Sequence, residues 1–324
     1  MSGKELSAFE KRLCNALQNG LPISERPYAE IGRLLGCKEE VVLRQTRKLV
    51  ARRVIRRIGA VVNWRAAGKA STLVAACVPE GKLKKVIAAV NGLDGVSHNY
   101  IRKHYYNLWF TIRAESNKQL EAILGDLSRR FRIAFHSLPV KRVFKLDVRF
   151  DAESGGRRLL AARLRLRRGR QKLDEVNERI LGGLQKGLEV AARPYDFLCE
   201  GELKIDEVLA RIDKMIDRWV IYRVGAVVNH HKLGFVANAM FVCGAKPARL
   251  VEIGKALASL QNVSHCYERK PIRQAHGEPF EGWPYRIFAM MHGKSGVEIR
   301  RVIDKFVEAE GIKEWDVLST VRRN

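Results

Sequence analysis

Histidine, tyrosine and arginine recur twice at alternate positions in this 324-residue sequence: His98, Tyr100 and Arg102, then His265, Tyr267 and Arg269. In an extended strand alternate side chains share a face, so each triplet presents an imidazole, a phenol and a guanidinium together. His104 would extend the first row. Such groups are costly in a helix-covered core and cheap in a pocket. Imidazole titrates near working pH, and an arginine fork grips a carboxylate through two parallel bonds. The simpler alternative is a solvated sheet face carrying chance histidines. It explains poorly why the trio occurs twice at equal spacing. Aromatic side chains follow each row, Trp109 after the first and Trp283 and Tyr285 after the second. Arg56, Arg57 and Arg223 are further forks for carboxylates, with plain surface charge as the alternative.

The elements that must hold these groups are duplicated. Arg26-Pro27-Tyr28 recurs as Arg193-Pro194-Tyr195, and Gly59-Ala60-Val61-Val62-Asn63 as Gly225-Ala226-Val227-Val228-Asn229, at an offset of 166 or 167. The chain is therefore two homologous modules in tandem. In the first, helical spacing predicts helices over 6–18, 28–35 and 38–53, a helix-turn-helix pattern. Strands are expected over 54–63, 71–78, 96–104, 106–112 and near 131–144, with helices over 81–90 and 117–130. After the first strand the order is β-α-β-β-α-β, a ferredoxin-like unit with helices over one sheet face and the other face free.

The second module repeats this with a degraded middle helix near Tyr195. It also carries about twelve extra residues, Pro271 to Trp283, with His276, Gly277 and Glu278 inside, which read as a lid or binding loop. The expected fold class is α+β, a tandem repeat of helix-turn-helix plus ferredoxin-like domain. Its parts are 1–63 and 64–150, a basic linker over 151–172, then 173–228 and 229–324.

Lysine and arginine number 60 against 35 acidic residues, a formal charge of +25. Such a field draws polyanions: nucleic acid, an anionic membrane surface, or a small molecule with many carboxylates or phosphates. Residues 151–172 hold eight basic and two acidic side chains, so most of the excess lies elsewhere. The chain has no apolar run long enough to span a membrane and no apolar leader after Met1, and its six cysteines form no C-x-x-C pair. These features predict a cytoplasmic protein without a cysteine metal site. The third helix, 38–53, has six basic residues, but Glu39 and Glu40 occupy its first turn. The equivalent stretch 204–218 balances four basic with four acidic residues, a poor surface for a duplex. Packing is the favoured role for these helices, which argues against nucleic acid as the partner.

A helix-turn-helix joined to a ferredoxin-like domain resembles the Lrp/AsnC fold. Beyond the fold, Arg26-Pro27-Tyr28, the run from Val54 to Val61, Gly95-Val96-Ser97-His98-Asn99-Tyr100, the run from Tyr106 to Thr111, the run from Val263 to Arg269, and Trp283-Pro284-Tyr285 resemble the sirohaem decarboxylases. In that family two different subunits normally pair; here they look fused, in the manner of the NirD–NirL type of haem d1 synthesis. The Ahb type of alternative haem synthesis stays open.

The resemblance implies removal of two acetate carboxylates from sirohaem to give 12,18-didecarboxysirohaem, with sirohaem and other tetrapyrroles as partners. No cofactor is implied, since iron enters with the substrate, and no protein metal site. His98 and His265 are then candidate general acids, with Tyr100 and Tyr267 orienting or donating. Arg102, Arg269, His104, Arg56, Arg57 and Arg223 would hold the pigment's carboxylates, and Trp109, Trp283 and Tyr285 would stack on or wall it. Arg286 stands where the first half has Asn107, so equal catalysis by both halves is not assumed. An Lrp/AsnC-type DNA-binding regulator is the alternative, and a homodimer of the fused chain is left open.

Overall fold

A computed structural model describes residues 5–146, 149–150, 152, 173–272 and 283–323. The expected linker, 151–172, and the heart of the expected lid, with His276, Gly277 and Glu278, lie outside them, Ala152 excepted.

In the first half three helices, α1 (Ala8–Asn19), α2 (Pro27–Leu35) and α3 (Glu39–Ala51), precede strand β1 (Ile55–Val62). Then follow β2 (Ala70–Ala76), α4 (Glu80–Asn91), β3 (His98–Arg102), β4 (Leu108–Ala114), α5 (Asn117–Phe131), β5 (Phe135–Leu138) and β6 (Val140–Leu146). The second half supplies α6 (Glu175–Lys186), α7 (Ile205–Asp217), β7 (Ile221–Val228), β8 (Ala237–Cys243), α8 (Leu250–Ser259), β9 (Val263–Arg269), β10 (Ile287–Gly293), α9 (Gly296–Glu310) and β11 (Trp315–Arg323). Its middle helix is reduced to a single 3-10 turn, Asp196–Leu198. Polar caps start the long helices where the sequence changes character. Ser7 and Glu10 form a capping box on α1, and Ser116, Asp174 and Ser295 cap α5, α6 and α9.

The described chain forms two compact units, and each combines both halves. In the first, comprising residues up to Gly68 and the stretch up to Gly234, β1 and β7 pair as an antiparallel ribbon with Gly59 opposite Gly225. A side chain at Gly59 would meet the Leu184 carbonyl, and one at Gly225 the Leu17 carbonyl, so each glycine admits the first helix of the other half. Leu21 N donates to Val224 O at 2.8 Å and Leu188 N to Ile58 O at 2.7 Å, a matched pair of ties. In α3, Arg47 donates to the Val190 carbonyl at 2.8 Å, and Glu39 is paired with Arg26.

The second unit is a nine-stranded sheet, in the order β5-β2-β4-β3-β11-β8-β10-β9-β6. Each half contributes a four-stranded ferredoxin-like sheet. The final strand expected near 131–144 is divided at Pro139, which has no N–H for a ladder. Its first part, β5, pairs with β2 of its own half; its second, β6, pairs with β9 of the other. Likewise β11 pairs with β8 through Trp315–Ser319 and with β3 from Thr320 onward. Because β5 and β6 are the two ends of the strand order yet adjacent in the chain, the sheet curls back on itself.

Helices α4 and α5 cover one face of the first-half strands over Val74, Val86, Phe110 and Leu124. Helices α8 and α9 do the same in the second half over Phe241, Ile253, Met291 and Phe306. The opposite face, which one module alone would leave free, is covered. It carries a third core made by both halves, with Tyr106, Trp109 and Leu138 beside Met240, Trp283, Phe288 and Leu318. Duplication supplies that face with a matching apolar surface, which a single module lacks.

Candidate functional site

Both triplets lie in the second unit, on the sheet face away from the helices. Tyr100 sits opposite Trp109, and Tyr267 opposite Phe288, and both of those partners belong to the third core. The alternation is as expected: His98 exposed, Tyr100 half-buried, Arg102 buried; His265 and Tyr267 half-buried, Arg269 buried. In each row the imidazole and phenol rings are neighbours along the strand, stacked in the first half and tilted by 40° in the second. The His98 and Tyr100 rings are 6.2 Å apart, and those of His265 and Tyr267 6.0 Å. The Arg102 guanidinium lies 5.3 Å from the Tyr100 ring centre and that of Arg269 5.0 Å from Tyr267. These are cation–π distances.

The two arginines are the electrostatic core of the site. Arg102 is 3% exposed and Arg269 9%. Arg102 Nη1 donates to Leu318 O at 2.6 Å and to Thr320 Oγ1 at 3.2 Å, while Nη2 lies 3.8 Å from Met290 Sδ. Arg269 Nη1 donates to Leu138 O at 2.8 Å. Neither Nε has an acceptor, and among the described residues neither guanidinium meets a carboxylate. Burial pushes both side chains down to about 10, far below the ordinary arginine value. A buried cation lacking an anion is expensive, and a carboxylate brought by a ligand would relieve the cost.

The remaining expected residues divide. Strand β3 ends at Arg102, so His104 leaves the row and sits in the turn to β4. Its Nδ1 accepts from Tyr106 N at 3.0 Å, and its Nε2 lies 3.5 Å from Asp316 Oδ2. Burial holds its pKa below the usual histidine value. Trp109 and Trp283, expected against a ligand, are 1% and 2% exposed. They pack into the third core 5.6 Å apart, because the two halves bring their apolar faces together there. Trp109 Nε1 donates to Tyr106 O at 2.6 Å, whereas the Trp283 N–H meets no acceptor among the described residues. Tyr285 packs edge-on against Trp283 at 4.9 Å and stays half-buried.

Arg56, Arg57 and Arg223 belong to the other compact unit, since their strands form the β1–β7 ribbon. Arg57 Nη1 donates to Gln185 O at 2.6 Å and Leu184 O at 3.3 Å, closing the end of α6. Arg223 Nη1 donates to Ala226 O at 3.5 Å, and Arg56 is exposed.

Asn107 and Arg286 are both tied to neighbouring protein groups. Asn107 ties Val78 through both its N–H and its carbonyl, at 2.9 and 2.8 Å. Arg286 pairs with Glu268 at 3.1 Å. Glu268, overlooked in the sequence, is a buried carboxylate that also meets Lys141 at 3.0 Å and Arg142 at 3.8 Å. Ser264 and His292 were overlooked too; they touch His265 through one hydroxyl. Only the strand register brings His292 to the serine.

The residues over 66–145 and 232–323 match the AsnC-like ligand binding domain, and 10–56 match the Siroheme decarboxylase NirDL-like HTH domain. The chain is 30% identical to the siroheme decarboxylase of Hydrogenobacter thermophilus, over 97% of this chain and 92% of that protein. It is 32% identical to the siroheme decarboxylase NirDL subunit of Paracoccus denitrificans, over 94% and 90%. A crystal structure of the siroheme decarboxylase NirDL with an iron-uroporphyrin III analogue superposes with a TM-score of 0.73 at 27% identity, over 98% of this chain and 92% of that one. Sequence and fold agree along nearly the whole length, with both triplets inside the matched domains: the chain belongs to the siroheme decarboxylase family of enzymes, in its fused NirDL form.

Proposed function

We propose that this chain removes the carboxyl groups of two acetate arms of sirohaem, giving 12,18-didecarboxysirohaem on the way to haem d1 or, by the alternative route, haem. One observation carries the reading to this molecule. Two pseudo-equivalent buried guanidinium groups, Arg102 and Arg269, stand over tyrosine rings with unused N–H donors and no carboxylate partner among the described residues. Sirohaem supplies many carboxylates, and the formal charge of +25 favours a polyanion. The solved relative that holds an iron-uroporphyrin analogue supports a tetrapyrrole as the ligand class.

In the proposed step Arg102 or Arg269 grips a neighbouring carboxylate and fixes the pose of the reacting arm. The bond from the acetate methylene to its carboxyl carbon breaks and carbon dioxide leaves. The electron pair passes into the conjugated ring, which serves as the sink, so the chemistry needs no cofactor beyond the iron pigment itself. His98 or His265 then delivers a proton to the carbon, with Tyr100 or Tyr267 orienting the arm. The core containing Trp109 and Trp283 lies beside these rows as a dry wall. We place the reaction in the cytoplasm; all six cysteines are free thiols, and no helix among the described residues is long and apolar enough to cross a membrane.

The test is anaerobic turnover of sirohaem by wild type, His98→Ala and His265→Ala. Each variant is expected to lose about a hundredfold in the rate of one carboxyl loss while binding pigment with near-normal affinity. Wild-type rates in both would remove the histidines from the mechanism.

A further inference from the structure

Ser264 is fully buried between two imidazoles. Its Oγ lies 2.8 Å from His265 Nδ1, 3.0 Å from His292 Nε2 and 3.2 Å from the Met290 carbonyl. A hydroxyl has one proton and two lone pairs, and the carbonyl can only accept. With the proton on the shorter contact, to His265 Nδ1, the hydroxyl accepts from His292 Nε2–H; with it on Met290 O, both imidazoles donate to Oγ. A bulge creates this bridge. Met290 faces His265 and Met291 faces Val263, so Ser264 is the extra residue of β9 and turns toward its neighbour. The His292 backbone is anchored: its amide N–H donates to Asn262 O at 2.8 Å, and Asn262 Nδ2 donates to the His292 carbonyl and to Glu298 Oε1, both at 3.0 Å.

The first half has an arginine where the second has His292. Thr111 faces His98 as Met290 faces His265, so Arg113 holds the position equivalent to His292. Arg113 Nε donates to Gly95 O at 3.4 Å. His98 is exposed, with Ser97 Oγ 3.1 Å from its Nδ1.

We propose that His292 and Ser264 return protons to His265, so that the two halves recharge their acids differently: His98 from solvent, His265 through the protein. The inference deepens the decarboxylation reading and rests on it. As carbon dioxide departs, His265 Nε2–H protonates the new carbanion. Ser264 Oγ–H passes to Nδ1, and the Nε2 proton of His292, which must first be charged by a proton from solvent, restores the hydroxyl. His265 ends neutral with its proton on Nδ1, His292 ends neutral, and one proton has moved to carbon. Among the described residues, the other titratable or charged groups beside this line include Tyr267 on β9, Arg102 at Met290, Lys145 of β6, whose ammonium donates to Leu260 O at 2.9 Å, and Glu298 of α9. His292 is a positioning residue, since it reaches the pigment only through its neighbours.

Two readouts test this on the full chain. In anaerobic single turnover, Ser264→Ala and His292→Asn should slow one of the two carboxyl losses about tenfold or more, with pigment affinity unchanged, so that a singly decarboxylated pigment accumulates. In the ligand-free protein, nitrogen NMR of the imidazole rings should show the His265 titration moving in both variants. Full wild-type turnover together with an unmoved His265 titration overturns the relay, as does a defect confined to pigment affinity. If wild type left sirohaem unchanged, the decarboxylation reading would fail, and the titration alone would decide whether the imidazoles are coupled.

Discussion

Arg102 of the first half donates to the carbonyl of Leu318 in the second at 2.6 Å, and Arg269 makes the mirror bond to Leu138 at 2.8 Å. Arg102 is thus held by β11 and Arg269 by the end of β5, each a strand of the opposite half. Each guanidinium is therefore positioned by the opposite half, which gives a physical reason for the two modules to share one sheet.

A guanidinium kept buried for a ligand should be a liability without it. Arg102→Met and Arg269→Met keep the side-chain volume and remove the charge. Each is expected to leave the melting temperature unchanged or raise it, while weakening binding of a polycarboxylate porphyrin at least tenfold. Calorimetric melting and pigment titration of the same samples check this. A large loss of stability with normal binding would make both arginines structural.

Glu268 has the opposite character. It is 1% exposed and neutralised by Lys141 and Arg286 at 3.0 and 3.1 Å, with Arg142 more distant. Lys141 and Arg142 lie on β6, so this carboxylate fastens the strand that crosses between halves. Glu268→Gln should cost about 1–3 kcal/mol, because the buried hydrogen bonds lose their charge while the half-exposed cations can hydrate. Denaturant unfolding measures it.

In the other unit, the repeated Gly-Ala-Val-Val-Asn has a packing explanation. Gly59 and Gly225 face each other in the ribbon, and each has a helix-end carbonyl where a Cβ would sit. Gly59→Ala and Gly225→Ala should each destabilise by about 1–3 kcal/mol through overpacking. Thermal or urea unfolding of the single variants checks this.

Acid should weaken the second unit. Burial lowers the pKa of His104, against the opposing pull of Asp316, and burial alone lowers that of His136. The native rings therefore stay neutral while those of the unfolded chain take up protons near 6.5. Their contribution is intact above that value, falls as pH drops through it, and stops falling only once the native rings protonate. Melting curves should shift downward between about pH 7 and pH 5, and His136→Phe, which preserves the edge contact with Tyr106, should flatten the slope.

Much of this was legible in the residues. Strand alternation put His98, Tyr100 and Arg102 on one face, and the repeat identified His265, Tyr267 and Arg269 as their counterparts. What escaped was whatever depends on the halves meeting. Trp109 and Trp283 read as ligand walls because one module leaves their face bare; the partner module covers it. Arg57 read as a carboxylate fork, yet it closes the end of α6 through carbonyls that no local pattern reveals. The repeated Arg-Pro-Tyr likewise serves packing, with Tyr28 and Tyr195 fully buried and Tyr195 donating to Pro22 O at 3.0 Å. His104 was misplaced by running β3 two residues too far, past the point where Arg102 N turns to Asn107 O.

The most direct test of the central claim is the mass of the pigment recovered after the purified chain is mixed with sirohaem without oxygen. The account predicts a product lighter by two molecules of carbon dioxide, formed by wild type and not by the Arg102→Met, Arg269→Met double variant. Pigment recovered unchanged in mass from tight wild-type binding would contradict it and leave a carrier instead of an enzyme.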